Sequence, residues 1–477
     1  MTSLYEAIRA RLEAGLAAGS LTRLFCDDLC WGVPQGLSRR EIQAGLAEGT
    51  PAAVTPVAQI SGLPVYRVDW PENHLPTVTA RRAVQKALSP VHAQHLLCYV
   101  TLDGQQLAFT WARSRPDGKT ELRTLPYEVG TPARTTIERL AELAFGLDEL
   151  GLFGEPSITN VTDKLNRAFS VEAVTKQFYR EIADWYFWAR DSEAVVMPKD
   201  VRTAEDRALF LIRLLTRLIF CWFLRKKRDT RTGQGLLPSE LFAEKEIVQL
   251  LNDASPDACT YYPAILQNLF FATLNTEMDR PGELPNRRFI DPRDGRQSDD
   301  HMIHTRWRNA RLLREPERLA ELLRRVPFLN GGLFECLDDR VQRGDSVFTD
   351  EVRIDGFSDK PEKQPRLPNC LFFGMGRVLD LSEAYGDSGR RRESVRPLLE
   401  ILSGYNFTLS ENTPLEQEVA LDPELLGHVF ENLLAAYNPE TGTVARKATG
   451  SFYTPRVVVD WMVDQALTVY LRGSLAQ

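Results

Sequence analysis

The sequence predicts a multidomain protein with a small N-terminal α/β domain followed by a mostly α-helical domain. Three observations support this fold class. The chain has 477 residues, and a single hydrophobic core rarely grows beyond roughly 250 to 300 residues. Helical and strand patterns alternate over residues 1–155, whereas residues 156–440 carry mostly helical patterns. We therefore expect more than one core.

The N-terminal domain, residues 1–155, is predicted from alternating helix and strand signals. Apolar residues at helical spacing indicate helices, and β-branched and aromatic runs indicate strands. The predicted helices are 5–16, 78–88 and 136–145, and the predicted strands are 63–70, 96–102 and 107–113. Asp103-Gly104 separates the last two strands, and this dipeptide favours a tight hairpin. These elements predict an α/β or α+β unit.

A central helix is predicted near the start of the helical domain. Its apolar residues recur at spacings of three and four, as expected for one buried helical stripe. They are Val171, Val174, Phe178, Ile182 and Trp185. Aromatic side chains fill positions 185–188, so we expect this end of the helix to be buried on nearly every side.

The longest apolar stretch, residues 209–224, is predicted to form a buried helix. Three polar residues interrupt it on one helical face, namely Arg213, Thr216 and Arg217. The stretch is thus too short and too charged to cross a bilayer, and we expect one solvent-exposed stripe. Thr203 and Asp206 have the spacing of a helix cap, and a basic run at 225–228 suits the C-terminal end of the helix dipole.

The charge balance limits how the protein contacts nucleic acid. The formal net charge is −7, which argues against a protein that coats nucleic acid through its overall charge. Any DNA contact must use local basic patches. The candidates are the run Arg225, Lys226, Lys227 and Arg228, and a second run at 390–392. Each run is also explained by a solvated helix end, the more common role of such runs.

The cysteines predict a reduced, cytoplasmic protein. The chain has seven cysteines, an odd number, and lacks a secretory signal at its start. Cys26 with Cys30, and His92 with His95, lack the usual spacings of zinc ligands. We therefore predict no metal site and structural roles for these four residues.

Ordered motifs in the second half of the chain carry a family resemblance. They are Arg217–Phe220 with Phe223, Leu224, Lys226 and Lys227; Val326–Glu335 (which contains Asn-Gly-Gly-Leu-Phe-Glu); Tyr405–Thr408; and Asp422–Leu434 leading into Lys447–Arg456. In this order they resemble the large adenine methyltransferases of type IIG restriction systems and of the BREX and DISARM phage-defence systems, including PglX-like proteins. The resemblance runs from about residue 160 to the C terminus, and the first 155 residues match more loosely.

The resemblance implies a domain organisation and a cofactor. Residues 156–440 would be a helical connector, and residues 441–477 the incomplete beginning of an S-adenosylmethionine-dependent methyltransferase domain. In the resembled family the stretch at 450–456 borders the cofactor pocket. Tyr453, Thr454 and Pro455 would then contact S-adenosylmethionine, and Gly450 would shape the turn. A helix N-terminus without a ligand is the alternative interpretation.

Two elements of methyl transfer are missing from the sequence. This class needs a glycine-rich strand-to-helix turn for the cofactor and an Asn-Pro-Pro-aromatic motif for the flipped base. Only 21 residues follow Arg456, and neither element is among them. We therefore predict that this chain has no catalytic residue for methylation and that it docks DNA or partner proteins.

Two other functions stay open at this point. Type IIG proteins often begin with a nuclease domain in which an Asp and an acidic-x-Lys motif hold Mg²⁺. Asp69 ends a strand, but Lys119 and Glu121 stand in reversed order. An inactive relic or an interaction domain is thus favoured, with Glu6, Asp69 and Glu121 the carboxylates to test. The other alternative is a non-catalytic scaffold that binds further defence subunits or a phage inhibitor, away from any membrane.

Overall fold

The computed structural model describes residues 2–13, 19–44, 50–149, 154–228, 235–280, 286–291, 303–329, 331–342, 349–409, 413, 415–422 and 456–475. Within these residues, seven strands form one mixed sheet in the order β1-β2-β3-β4-β5-β6-β11. They are β1 (Arg40–Ile42), β2 (Ala52–Ile60), β3 (Leu63–Asp69), β4 (His95–Val100), β5 (Gln106–Ser114), β6 (Thr120–Glu128) and β11 (Glu416–Glu418). Two short hairpins lie apart from this sheet: β7 (Asp339–Gln342) with β8 (Thr349–Val352), and β9 (Arg377–Leu379) with β10 (Glu393–Val395).

The helices follow the chain as predicted in outline. The N-terminal ones are α1 (Thr2–Glu13), α2 (Ser20–Arg23), α3 (Val78–Leu88) and α4 (Arg134–Ala141). The middle of the chain forms α5 (Ile158–Ala168), α6 (Val171–Asp191), α7 (Ala204–Lys226), α8 (Glu244–Leu250) and α9 (Gln267–Leu269), the last flanked by π-helical turns at Tyr262–Leu266 and Phe270–Leu274. The later helices are α10 (Pro316–Arg324), α11 (Ser382–Tyr385), α12 (Leu398–Ser403) and α13 (Arg456–Leu475).

The sheet mixes parallel and antiparallel pairs. β3 and β4 are parallel and are connected by α3, while β2–β3, β4–β5 and β5–β6 are antiparallel. The predicted helix 78–88 is confirmed at both ends. The predicted hairpin between β4 and β5 is also confirmed, and Gly104 adopts a positive φ of 67° there, a conformation that glycine adopts without strain.

Two long strands were not predicted. β2 contains Pro56, and its register with β3 shifts between Pro56 and Ala58; such a bulge lets a strand tolerate a proline. Strand β6, which contains Glu121, is paired with β5 on one side and with β11 on the other. Proline and charge in these segments hide the strand pattern.

Hydrophobic cores cover the two faces of the sheet. A smaller core packs α3 against Tyr66, Val68 and Tyr99. A larger, continuous core covers the other face and includes Phe109 in the sheet and Phe178 in the helical region. The N-terminal mixed sheet and the helical regions are thus both present. The domain boundaries at 155 and 440, and a methyltransferase domain beginning at 441, stay predictions.

Helix α6 has the predicted buried character. Four residues of the predicted stripe are buried, and so are the aromatic side chains at 185–188. The indole Nε1 of Trp185 donates to the carbonyl of Leu371 at 2.6 Å, so this polar atom is satisfied inside the core. The helix is central, as the sequence indicated.

Helix α7 begins where predicted but differs in its polar face. Thr203 and Asp206 form a capping box, which confirms the helix start. The expected solvent-exposed stripe is wrong, because Thr216 and Arg217 are both buried. Arg217 finds its partners inside the protein, and the Thr216 hydroxyl donates to the Ile212 carbonyl at 2.8 Å. None of the described helices is long and apolar enough to cross a membrane.

Arg82 of α3 connects the segment at 415–416 to the sheet. Arg82 donates to the carbonyls of Thr120 (2.6 Å) and Leu415 (3.0 Å) and to the carboxylate of Glu416 (2.8 Å). Strand β11 is parallel to β6, so a segment from within residues 156–440 completes the N-terminal sheet. This connection fixes the position of the chain just before residue 423.

Candidate nucleic-acid interface

The predicted basic run at the end of α7 lines a cleft of about 620 Å³. Arg225, Lys226 and Arg228 contribute to the cleft wall, whereas Lys227, the C-cap residue, does not. The remaining walls come from the ends of β5 and β6, the segment 235–240, the C-terminal end of α10, and residues 403–406. The cleft therefore lies between the N-terminal sheet and the helical region.

The guanidinium of Arg225 lies over two aromatic rings. Its guanidinium carbon lies 4.1 Å from the ring centroid of Trp222 and 5.6 Å from that of Phe242. Such cation–π stacking fixes the plane of the guanidinium and leaves its N–H groups at the edge. Burial lowers the pKa of Arg225. Within the described part of the chain, the structure shows no hydrogen bond or ion pair for this guanidinium.

Lys226 and Arg325 add positive charge at the same place. Partial removal from water lowers the pKa of Lys226, and the nearby Glu128 carboxylate acts in the opposite direction. Arg325, the C-cap residue of α10, is exposed. Among the described residues of the lining there are four cationic side chains, including Arg228, and two carboxylates, Glu128 and Glu240. This excess of positive charge favours an anionic ligand.

The motif at 405–408 joins the cleft to the sheet. Asn406 Nδ2 donates to the carbonyl of Pro126 at 2.9 Å and to the hydroxyl of Thr136 at 2.8 Å. The Phe407 ring packs edge-on against Phe223 of α7, with 5.0 Å between the centroids. Two of the motifs that carry the family resemblance, on α7 and at 405–408, therefore pack against each other, and both contribute residues to the cleft lining.

Sequence reasoning did not find every residue of this cleft. Arg325 directly precedes the Val326–Glu335 motif and follows another arginine, so a search for short basic pairs beside motifs could have found it. Gln106 and Glu128 lie at strand ends with no local signal. Their positions follow only from the pairing of β5 with β6, in which they are direct partners.

The carboxylates of the nuclease alternative do not meet. In register, Asp69 is level with Val100 of β4, whereas Glu121 pairs with Arg113 at the opposite end of β5. Asp69 and Glu121 are therefore three strand spacings apart across the sheet, or roughly 14 Å, and about six residues apart along the strands, or roughly 20 Å. Glu121 is buried and accepts from Arg123 at 2.8 Å. Glu6 is exposed on α1.

One group of possible metal ligands occurs among the described residues. His304, Cys336 and Asp338 place ligand atoms within 4.8 Å of one another. The Asp338 carboxylate already accepts from the backbone N–H groups of residues 354–357 at 2.7–2.9 Å. Burial raises the pKa of the Cys336 thiol, which opposes the thiolate that a metal needs. Asp338 thus organises a turn, and we assign no metal to this group.

The predicted S-adenosylmethionine contacts, Gly450, Tyr453, Thr454 and Pro455, lie outside the described residues. The helix predicted to begin after them is present, since α13 starts at Arg456. All seven cysteines are free thiols.

A comparison with curated proteins finds one distant relative in an archaeon. Over 323 residues the chain is 24% identical to a Methanocaldococcus jannaschii protein that bears the name of a type II restriction enzyme and methyltransferase. The match covers 62% of this chain but 19% of that protein, so the chain spans a small part of the relative's length. No family model matches the chain, and no solved structure does. The similarity supports a relationship to restriction–modification methyltransferases.

Proposed function

We propose that this chain is the DNA-docking region of a restriction–modification adenine methyltransferase of the type IIG or BREX PglX-like kind. The observation that carries the proposal is the cleft at the end of α7. There Arg225, Lys226, Arg228 and Arg325 line the same wall region as the motif residues Tyr405 and Asn406. The similarity to a protein named as a restriction enzyme and methyltransferase supports DNA as the ligand.

The electrostatics of the cleft support phosphate as the group that is bound. A net charge of −7 provides no overall attraction to DNA, so a local cluster of cations must provide the contact. Arginine and lysine bind phosphate oxygens through charge-assisted hydrogen bonds. Arg225 is stacked on Trp222 and is therefore oriented before the ligand arrives, which reduces the entropy lost on binding.

Methyl transfer is not part of the role that we propose for this chain. S-adenosylmethionine would contact Gly450, Tyr453, Thr454 and Pro455 in a larger assembly, and the docking role does not depend on those contacts. A Mg²⁺-dependent nuclease is not proposed, because Asp69 and Glu121 lie far apart on the sheet. Binding of other defence subunits or of a phage inhibitor stays a prediction.

Two assays on the same preparation test the proposal. Fluorescence anisotropy with a short labelled duplex measures binding, and incubation with radiolabelled S-adenosylmethionine and genomic DNA measures methylation. We expect saturable duplex binding that Lys226→Ala weakens, without transfer of label. Reproducible methylation by this chain, or duplex binding that Lys226→Ala leaves unchanged, would contradict the proposal.

A further inference from the structure

The size of the cleft is suited to a single small ligand. Its volume of about 620 Å³ falls among pockets that enclose one small molecule, which measure about 300–1,000 Å³. A DNA duplex is too wide to enter such a space and would contact the exposed cations of the lining, Lys226 and Arg325, from outside. One nucleotide, either free or turned out of a DNA strand, would fit inside.

Two adjacent cations in the cleft lining favour the binding of an anion. The guanidinium of Arg225 lies over the Trp222 ring, and Lys226 follows it in the chain; both side chains line the cleft. Arg225 is half-buried, and a cation partly removed from water without a counter-ion is unfavourable. Lys226 is exposed and also lines the cleft. Among the described residues, neither side chain is shown in an ion pair. A phosphate bound here would compensate both charges.

The cleft also presents hydrogen-bond acceptors, which a simple anion cannot use. Glu128 lines the cleft at the end of β6, and the described residues show no hydrogen bond to its carboxylate. The amide donors of Asn406 are used by Pro126 and Thr136, so its carbonyl oxygen is left as an acceptor. An inorganic anion would be repelled by Glu128, whereas the exocyclic amine of adenine, cytosine or guanine donates to such acceptors.

We infer that this cleft binds one nucleotide, with its phosphate against Arg225 and Lys226 and its base amine toward Glu128 and Asn406. The choice of a nucleotide rests on the proposed function, because DNA docking supplies the chemical class. The combination of cations and acceptors in one cleft supports this ligand over phosphate alone.

Isothermal titration of the full chain with four probes tests the inference. The probes are deoxyadenosine monophosphate, thymidine monophosphate, deoxyadenosine and inorganic phosphate. We expect deoxyadenosine monophosphate to bind about tenfold more tightly than inorganic phosphate or thymidine monophosphate, as one good base contact predicts. Equal affinities for these three anions would overturn the inference.

Two variants test separately the base contact and the phosphate contact of the proposed nucleotide. Glu128→Ala should lower the affinity for deoxyadenosine monophosphate about tenfold. The affinity for inorganic phosphate should stay unchanged or increase. Lys226→Ala should lower the affinity for both ligands. Glu155→Ala removes an exposed carboxylate outside the cleft lining and should change neither. If Glu128→Ala changed both affinities by the same factor, the base contact would be refuted.

A comparison of duplexes identifies the source of the nucleotide. If DNA supplies it, a duplex with one unpaired adenine should bind more tightly than a fully paired duplex, and deoxyadenosine monophosphate should compete with it. If the nucleotide is free in solution, the two duplexes should bind equally while the nucleotide still binds. Deoxyadenosine monophosphate could bind no more tightly than the other two anions while Lys226→Ala still weakened duplex binding. That result would refute this inference but not the proposed function. Absence of duplex binding would refute the proposed function.

Discussion

Arg217 and Asp355 form an ion pair inside the protein, with 2.9 Å between Nη1 and Oδ1 and side chains only 3% and 1% exposed. The same guanidinium donates to the carbonyls of Leu333 (2.8 Å) and Glu335 (2.9 Å). Two sequence motifs, on α7 and at 326–335, are therefore connected through one side chain. The pair holds the segment around 355 against the helix that carries the basic run.

Asp355→Ala should destabilise the protein by about 3 kcal/mol or more, because it leaves the buried charge of Arg217 without its partner. Urea unfolding at neutral pH measures the effect. Glu13→Ala, which removes the exposed partner of Arg9, serves as control and should leave the unfolding midpoint nearly unchanged. Equal midpoints for Asp355→Ala and wild type would show that the pair contributes little.

Arg82→Ala should loosen β11 from the sheet, because Arg82 bonds to both sides of the β6–β11 pair. Hydrogen exchange should become faster at the amides of Leu122 and Val419, which donate to Leu415 and Thr124 across this pair. Lys86→Ala, an exposed change on the same helix, is the control. Unchanged protection at both amides would mean that the backbone pairing alone holds the strand.

His95 should make stability depend on pH. It is buried, its Nδ1–H donates to the His92 carbonyl at 2.9 Å, and desolvation lowers its pKa from 6.5 to about 4. The unfolded chain therefore takes up a proton between these two values while the folded protein does not, so stability is lost as pH falls from 6.5 toward 4. Per group the slope is at most about 1.4 kcal/mol per pH unit.

His95→Asn keeps a donor for the His92 carbonyl and removes the titrating ring. Urea unfolding at several pH values should then show a shallower loss of stability between pH 6.5 and 4. If the variant and the wild type showed identical slopes, another group would be responsible for the pH dependence.

Gly356→Ala should destabilise more than Gly386→Ala. Both glycines have a positive φ, of 64° and 63°, so alanine is strained by about 1–2 kcal/mol at either position. At Gly356 a Cβ would also lie 2.7 Å from the Lys363 carbonyl oxygen, whereas Gly386 has open space. Thermal unfolding compares the two variants. Equal melting temperatures would show that the crowding at Gly356 is relieved by movement.

Regular local patterns predicted part of the fold. The apolar stripe of α6 and the N-terminal cap of α7 depend on residues only a few positions apart in the sequence. Periodicity and spacing were therefore sufficient to identify them. The position of β11 was not predictable, because three residues near 417 pair with a strand almost three hundred residues earlier. The polar face of α7 was misjudged because its partner, Asp355, lies in a segment that has no periodicity.

The candidate site was predictable only in part. The basic run at the end of α7 is visible in the sequence because its charges are adjacent. Its neighbours in the cleft, Glu128 and Arg325, are brought there by the sheet and by α10. The run also suits a solvated helix end, and sequence alone offers no means of choosing between the two roles. The stacking of Arg225 on Trp222 joins residues three apart on α7, a spacing that places side chains on one helical face.

The dependence of duplex affinity on salt is the most direct test of docking through this cleft. Each phosphate contact contributes about 0.9 to the slope of log affinity against log salt concentration. Lys226→Ala with Arg325→Ala should reduce the wild-type slope by about 1 to 2, while Lys86→Ala, on the helix that covers the other face of the sheet, should leave it unchanged. A double variant with the wild-type slope and affinity would contradict the account.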